Sequence, residues 1–269
     1  MNKNISTGFL SVDKALGGGL RSGELTLLAA RPGMGLTAFA VEIALRNAEV
    51  GKRIHIISML LTSEELSKRI IARDAKVNMF KLREKHRLTE DDIERLDKSS
   101  RKSFCSGIFI YDRIPDEESL GMYMSAKGVS KADVDLIIVE DLQEEVARHG
   151  IDDKETAYTV CLNQLTSLAK KFDVPVVCCS KVPRACEKRE DKRPTLNDMK
   201  FLSKSAVKEP INVIFLYRDS YYRDGALEDE CEVIVAKSNA FCSYKAVNLK
   251  WNGEFTMFSD IIKYFENDT

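Results

Sequence analysis

Short apolar runs recur along the chain, separated by longer stretches whose apolar positions repeat every three or four residues. The runs predict strands at 25–30, 53–59, 108–112, 135–141, 174–180, 211–218 and 232–237. Several are apolar on successive residues, as in Leu136-Ile137-Ile138-Val139 and Val174-Pro175-Val176-Val177. Such strands are covered on both faces, the habit of a parallel sheet lying between helices. The intervening stretches carry helical stripes, for example Phe39, Ala40, Ile43 and Ala44, or Cys161, Leu165, Leu168 and Phe172. Strands alternating with helices imply right-handed crossovers and an α/β, doubly wound, mostly parallel twisted sheet. Near the end the pattern changes: strands at 246–251 and 254–258 flank Asn252-Gly253, which predicts a two-residue hairpin and antiparallel closing strands. Two charged stretches interrupt the alternation, at 81–102 and 184–208. In the first, Thr89 precedes Glu90-Asp91-Asp92, a helix start with Thr89 as N-cap, and a solvated helical insertion is expected.

Composition changes this picture in a few places. A chain of 269 residues with 44% hydrophobic content can bury a full core and suits one domain over 1–269. Its 41 basic and 42 acidic residues nearly cancel, so attraction to nucleic acid has to come from local patches. Seven cysteines, at 105, 161, 178, 179, 186, 231 and 242, form no CxxC pair and no zinc spacing. Cys178 and Cys179 sit in an apolar run and read as small buried thiols. Unpaired thiols, no signal peptide and no apolar stretch of spanning length predict a cytoplasmic protein without a membrane partner. His55, His86 and His149 are scattered, with nothing ligand-like beside them in sequence.

Candidate chemistry concentrates at Ala30-Arg31-Pro32-Gly33-Met34-Gly35-Leu36-Thr37-Ala38. The strand run 25–30 precedes it and a helical stripe follows. That order builds a phosphate-binding loop, whose backbone N–H groups and helix N-terminus wrap phosphate oxygens while Thr37 reaches a Mg²⁺ ion. The lysine that such a loop normally carries is replaced by Leu36.

The chain resembles the C-terminal motor domain of DnaB-type replicative helicases, hexameric RecA-like P-loop ATPases. The resemblance rests on Thr7-Gly8-Phe9 with Asp13, Gly18-Gly19-Leu20, Gly23-Glu24-Leu25 and the loop itself. It continues in order through Asp173-Val174-Pro175-Val176-Val177, Asp191-Lys192-Arg193-Pro194, Tyr217-Arg218-Asp219 and Trp251-Asn252-Gly253. It implies a RecA-like fold over nearly the whole chain, with ATP and Mg²⁺ as ligands. The family's N-terminal helical domain is expected to be absent, because Met1 stands only a few residues before the motor domain.

Carried over position by position, the resemblance implies a degenerate catalytic centre. Nucleotide contacts fall on Arg31, Pro32, Gly33, Met34, Gly35, Leu36, Thr37 and Ala38, with Lys237 reaching a neighbour's nucleotide. The catalytic glutamate position is Leu60, in Ser58-Met59-Leu60-Leu61, and the arginine-finger position is Asn239. A missing general base costs about 10²–10⁴ in rate, and a missing finger around 10³–10⁵. Metal ligation falls on Thr37 and on Glu140 or Asp141; strand alternation sends the two acids to opposite faces, so one of them serves. Contacts to single-stranded DNA map to Lys181, Arg184, Lys188, Arg189, Lys192, Arg193 and Lys200, with Lys204 and Lys208 beyond. Glu187, Glu190 and Asp191 interrupt this loop, so a charge-balanced surface is the competing reading. The reading favoured is a degenerate DnaB-like domain, a pseudo-ATPase acting as a binding or regulatory module on a helicase ring, a loader or another replication protein; the alternatives are an active helicase motor on single-stranded DNA and a module for a different nucleotide or ligand. Homo-oligomers are compatible with each.

Overall fold

The computed structural model describes residues 4–84, 87–104, 107–112, 120–204, 211–223, 229–240 and 244–261. The apolar runs become β1 (Leu25–Ala30), β2 (Ile54–Ile57), β3 (Ile108–Tyr111), β4 (Leu136–Val139), β5 (Val176–Lys181) and β6 (Ile211–Tyr217). Three further strands follow: β7 (Glu230–Lys237), β8 (Lys245–Asn252) and β9 (Met257–Asp260). Together they form a sheet in the order β3-β2-β4-β5-β1-β6-β7-β8-β9. The first six are parallel and the last three antiparallel. β1, β2, β4 and β6 are buried at every residue, as their unbroken apolar sequences require.

Helices cover both faces: α1 (Leu10–Leu16), α2 (Leu36–Glu49), α3 (Ser63–Ala75), α4 (Met79–Arg83), α5 (Glu90–Phe104), α6 (Leu120–Ala126), α7 (Leu142–Arg148), α8 (Lys154–Phe172) and α9 (Lys200–Lys204). One core packs α1, α2 and α3 with the sheet and the closing strands. A second packs α6 and α8 on the opposite face. Cys178 and Cys179 are fully buried between strands and helices, and burial pushes both thiols up, so they are inert packing groups. Cys105, Cys242, His86 and Lys208 lie outside the described residues.

Two expectations need correction. The closing hairpin is not a two-residue turn: Asn252 pairs with Met257 and four residues connect them. The Asn252 side chain accepts the Phe255 N–H at 3.1 Å, and Thr256 takes the left-handed conformation at φ 52°. Here asparagine closes a longer turn by its side chain instead of entering a left-handed turn itself. The 81–102 stretch is not simply solvated. Thr89 does cap α5, its hydroxyl accepting the Asp92 N–H at 3.1 Å. The helix then docks on α3: Arg95 donates to the carbonyls of Ala75 and Lys76 at 2.9 Å, and Ser99 to that of Ile71 at 3.2 Å. The Arg95 contacts satisfy carbonyls at the C-terminal end of α3, which have no partners within their own helix.

A buried ion cluster fixes the elements around the loop. The Glu42 carboxylate on α2 is fully buried. It accepts from Arg73 of α3, through Nε at 2.7 Å and through Nη2, from Arg46 at 3.0 Å, and from the Phe258 N–H of β9 at 3.3 Å. One carboxylate thus ties α2 to both α3 and β9.

Candidate nucleotide site

The 30–38 loop leaves the C-terminal end of β1, between β5 on one side and β6 on the other. Open α/β sheets form their ligand crevices at this edge, where strand order reverses. Gly33 and Gly35 adopt φ 86° and 95°. A Cβ at Gly35 would fall 2.9 Å from the Phe258 ring, and one at Gly33 would fall 2.8 Å from Tyr221, so only glycine lets the loop lie this close. Gly35 is the N-cap of α2 and provides no side-chain acceptor, whereas α3, α7 and α8 are capped by Thr62, Asp141 and Asp153. The open N–H groups and positive dipole end of a 14-residue helix are therefore available to an anion.

They face a cleft of about 340 Å³. Arg31, Pro32, Gly33, Gly35, Leu36, Thr37 and Ala38 line it, as the loop motif predicts. Met34 does not: it is buried, and its sulfur accepts the Arg218 N–H at 3.3 Å. Leu36 packs partly against the main core, so its slot in the cleft is apolar. Arg31 is engaged by the chain itself, with Nε 2.9 Å from Glu187 and Nη1 2.8 Å from the Val182 carbonyl.

The remaining walls carry residues that sequence reasoning missed as site residues: Arg69 of α3, Met79 of α4, and Trp251 and Thr256 of the closing turn. No local motif marks them, because the Glu42 cluster and the sheet closure bring them in from distant segments. Lys181 also lines the cleft. It ends β5 opposite Ala30, the first residue of the loop. The position assigned above to DNA is thus a phosphate-side position.

The two acids after β4 separate as strand alternation requires. Glu140 turns to the loop, accepting from the Thr37 hydroxyl at 3.4 Å and the Ser58 hydroxyl at 2.5 Å. Burial raises its pKa, while hydrogen bonds and the charge of Arg69 work the other way. Asp141 instead caps α7, accepting from the N–H groups of Gln143 and Glu144, and pairs with Lys181 at 2.6 Å. Thr37 and Glu140 are hard oxygen donors side by side, which suits Mg²⁺; Asp141 is removed from the metal set by its other partners.

Leu60 is 56% exposed and does not line the cleft, so no carboxylate occupies the base position. Neither Lys237 nor Asn239 lines the cleft. Lys237 ends β7, antiparallel to β6, and Asn239 bonds Glu24 at 3.0 Å, just before β1 begins. Lys237 stands opposite Val213, which is level with Leu27 in the middle of β1, so along the strand direction it is three residues, roughly 10 Å, from the loop.

Most cations of the DNA loop are already partnered. Arg184 pairs with Glu187 at 3.0 Å, Arg189 with Asp198 at 2.7 Å, and Arg193 with Asp191 at 3.2 Å and Glu232 at 2.5 Å. Lys192 lies over the Tyr222 ring at 5.6 Å. Lys188 and Lys200 are exposed. Glu187 also accepts from Tyr222 at 3.1 Å, so this loop is strapped to the phosphate loop through Arg31.

The histidines divide. His55 is buried between the Tyr111 hydroxyl and the Asp133 carbonyl, which keeps it structural. His149 is not isolated, contrary to its sequence surroundings: Glu145 and Cys161 lie near it. Arg148 already grips Glu145 at 2.6 and 3.0 Å, which makes this group an ion pair.

Comparison with known proteins places the geometry in context. The family described as DnaB-like helicase C terminal domain matches residues 4–260. Replicative DNA helicase DnaC of Bacillus subtilis is 28% identical over 267 residues, covering 98% of this chain and 58% of that protein. Replicative DNA helicase DnaB of Haemophilus influenzae is 30% identical over 275 residues, covering 97% and 56%. The chain thus spans little more than half the length of these relatives. Among solved structures, a DnaB-like replicative helicase described with its interactions with primase superposes at TM-score 0.83 and 25% identity, over 97% of this chain and 62% of that one. A second solved structure, described as an ATPase domain, gives TM-score 0.83 at 24% identity, over 97% and 92%, and shares the fold. The nine-stranded sheet is that of the RecA-like helicase ATPase domains.

Proposed function

The chain belongs to the DnaB-like helicase C-terminal domain family, and from that premise we propose that it is a motor-domain homologue that binds Mg²⁺–ATP weakly and hydrolyses it poorly. It acts in DNA replication as a binding or regulatory module. The observation that carries this reading is the uncapped N-terminus of α2, opening on a cleft with an apolar Leu36 wall and no carboxylate at position 60.

The residues divide the work as follows. Backbone N–H groups at Gly35 to Ala38 and the α2 dipole bind phosphate oxygens. Thr37 and Glu140 hold Mg²⁺, which when bound neutralises phosphate charge. Arg69 and Lys181 add positive potential from the walls. At the two aligned positions, Leu60 cannot take a proton from water and Asn239 cannot serve as the cation a neighbour inserts. Lys237 does not line the cleft of its own chain and is assigned to an interface with another copy or a true helicase subunit, which makes ring-type assembly part of the proposal. Single-stranded DNA, a loader and primase-type partners are proposed on family grounds.

A second reading, an active motor translocating on single-stranded DNA, draws on those two wall cations. Titration with Mg²⁺–ATP followed by steady-state hydrolysis with single-stranded DNA separates the two. Saturable binding with turnover far below one per second supports the module; DNA-stimulated turnover near one per second supports the motor.

A further inference from the structure

We propose that Lys181 is the phosphate-binding cation of this chain, supplying from β5 the charge that Leu36 withholds on α2, and that Asp141 holds it in reserve. The inference rests on the nucleotide-binding reading above and names the group that makes it work. Lys181 is the Cα partner of Ala30 and shares the cleft with Gly33, Gly35 and Thr37. Lys181 thus reaches the cleft from a different strand, while its ammonium is held at Asp141 in this structure.

Its backbone is fixed and its head is not. The Lys181 N–H donates to Gln143 at 2.9 Å, and the Gln143 amide donates back to Ser180 at 3.0 Å. The side chain is 42% exposed and meets Asp141 at 2.6 Å. Asp141's side chain is only 5% exposed, so the lysine end of the pair is the one open to water and able to move. A triphosphate in the cleft offers several charges, and contacts between an ammonium and phosphate oxygens are charge-assisted. Moving the head from Asp141 to phosphate is therefore favourable. Asp141 is not stranded by the departure: two N–H groups of α7 still bond its carboxylate, at 2.9 and 3.1 Å. Of the other cleft cations, Arg31 is engaged by Glu187 and the Val182 carbonyl, and the charge of Arg69 acts on Glu140. Binding a triphosphate thus breaks a specific ion pair, and affinity depends on both members of it.

The test measures binding of Mg²⁺–ATP and of inorganic tripolyphosphate by calorimetry to the full chain and to Lys181→Gln, Asp141→Asn and the double variant, with thermal unfolding as a folding check. Lys181→Gln is expected to weaken both ligands tenfold or more. Asp141→Asn keeps the α7 cap, since asparagine is a good N-cap, and is expected to tighten both ligands several-fold. That gain should shrink in the double variant, because it works by freeing Lys181. Asp141→Asn keeps the test sharp even if Lys181→Gln folds poorly. Unchanged affinity in Lys181→Gln, or an Asp141→Asn effect equal with and without Lys181, overturns this proposal and leaves nucleotide binding standing. No binding of either ligand to the unaltered chain removes both.

Discussion

Restoring the missing loop lysine is the perturbation whose size can be worked most directly. In Leu36→Lys the new side chain starts at the first position of α2, on the cleft wall beside Gly35 and Thr37. A charge-assisted contact to phosphate is worth roughly 1.5–3 kcal/mol, which is about ten- to a hundredfold in affinity. Two features move the expected gain toward the lower end. Leu36 packs partly against the core, so its loss costs some local order; Lys181 and Arg69 already supply positive charge to the same cleft. Hydrolysis should respond far less, because the empty base position costs about 10²–10⁴ and the lost finger about 10³–10⁵. The assay is a fluorescent-nucleotide titration beside steady-state phosphate release with single-stranded DNA. Binding about tenfold tighter with turnover still well below one per second is the expected pair of results. Full activity from this one change would refute the roles given to Leu60 and Asn239.

Other expectations follow from the same geometry. Glu42→Gln breaks a buried cluster of two arginines around one carboxylate, and removing one partner of a buried pair costs about 3–5 kcal/mol; urea unfolding followed by circular dichroism should show it, and a loss under 1 kcal/mol would contradict the cluster's role. Because burial raises the Glu140 pKa, Mg²⁺ enhancement of ATP binding should be present at higher pH and fade on acidification before an ordinary glutamate would titrate; Glu140→Gln should abolish that pH dependence, and an unchanged profile would remove Glu140 from the metal set. The sign for stability is the reverse: with the folded pKa above the unfolded one, this carboxyl's contribution falls as pH rises through the folded value, so Glu140→Gln should flatten that slope. In the strapped loop, Lys188→Ala with Lys192→Ala should lower the salt slope of single-stranded DNA binding by about 1.4; a salt slope that does not move takes these lysines out of the account.

What the sequence disclosed and what it concealed divide along one physical line. Features set by neighbours in the chain were legible: the unbroken apolar runs of β1 and β4, the Thr89 cap, and the glycine pattern that turns β1 into α2. The family signature worked for the same reason, as an ordered set of local motifs. Features set by which elements the sheet brings together were not. Arg69 enters the cleft because Glu42 clamps α3 to α2, and no spacing in the sequence announces a bond across 31 residues. Lys181, following Ser180 at the family's polar-sensor position, pointed to the phosphate site as well as to the basic loop, but its partner Asp141 was not visible in the sequence. The sequence left DNA contact and a charge-balanced loop as competing readings, and it did not show that Asp198 and Glu232 pair with Arg189 and Arg193. Asn252-Gly253 misled in the opposite sense, since a strong local preference yielded to a four-residue closure that seats Phe258 and Trp251 under Gly35.

The claim at the centre of this account is a phosphate cradle that binds and does not turn over. Calorimetric titration of the unaltered chain with Mg²⁺–ATP, followed by steady-state hydrolysis on the same sample with single-stranded DNA, tests it most directly. Saturable binding with turnover orders of magnitude below one per second is the predicted result; turnover near one per second would contradict it.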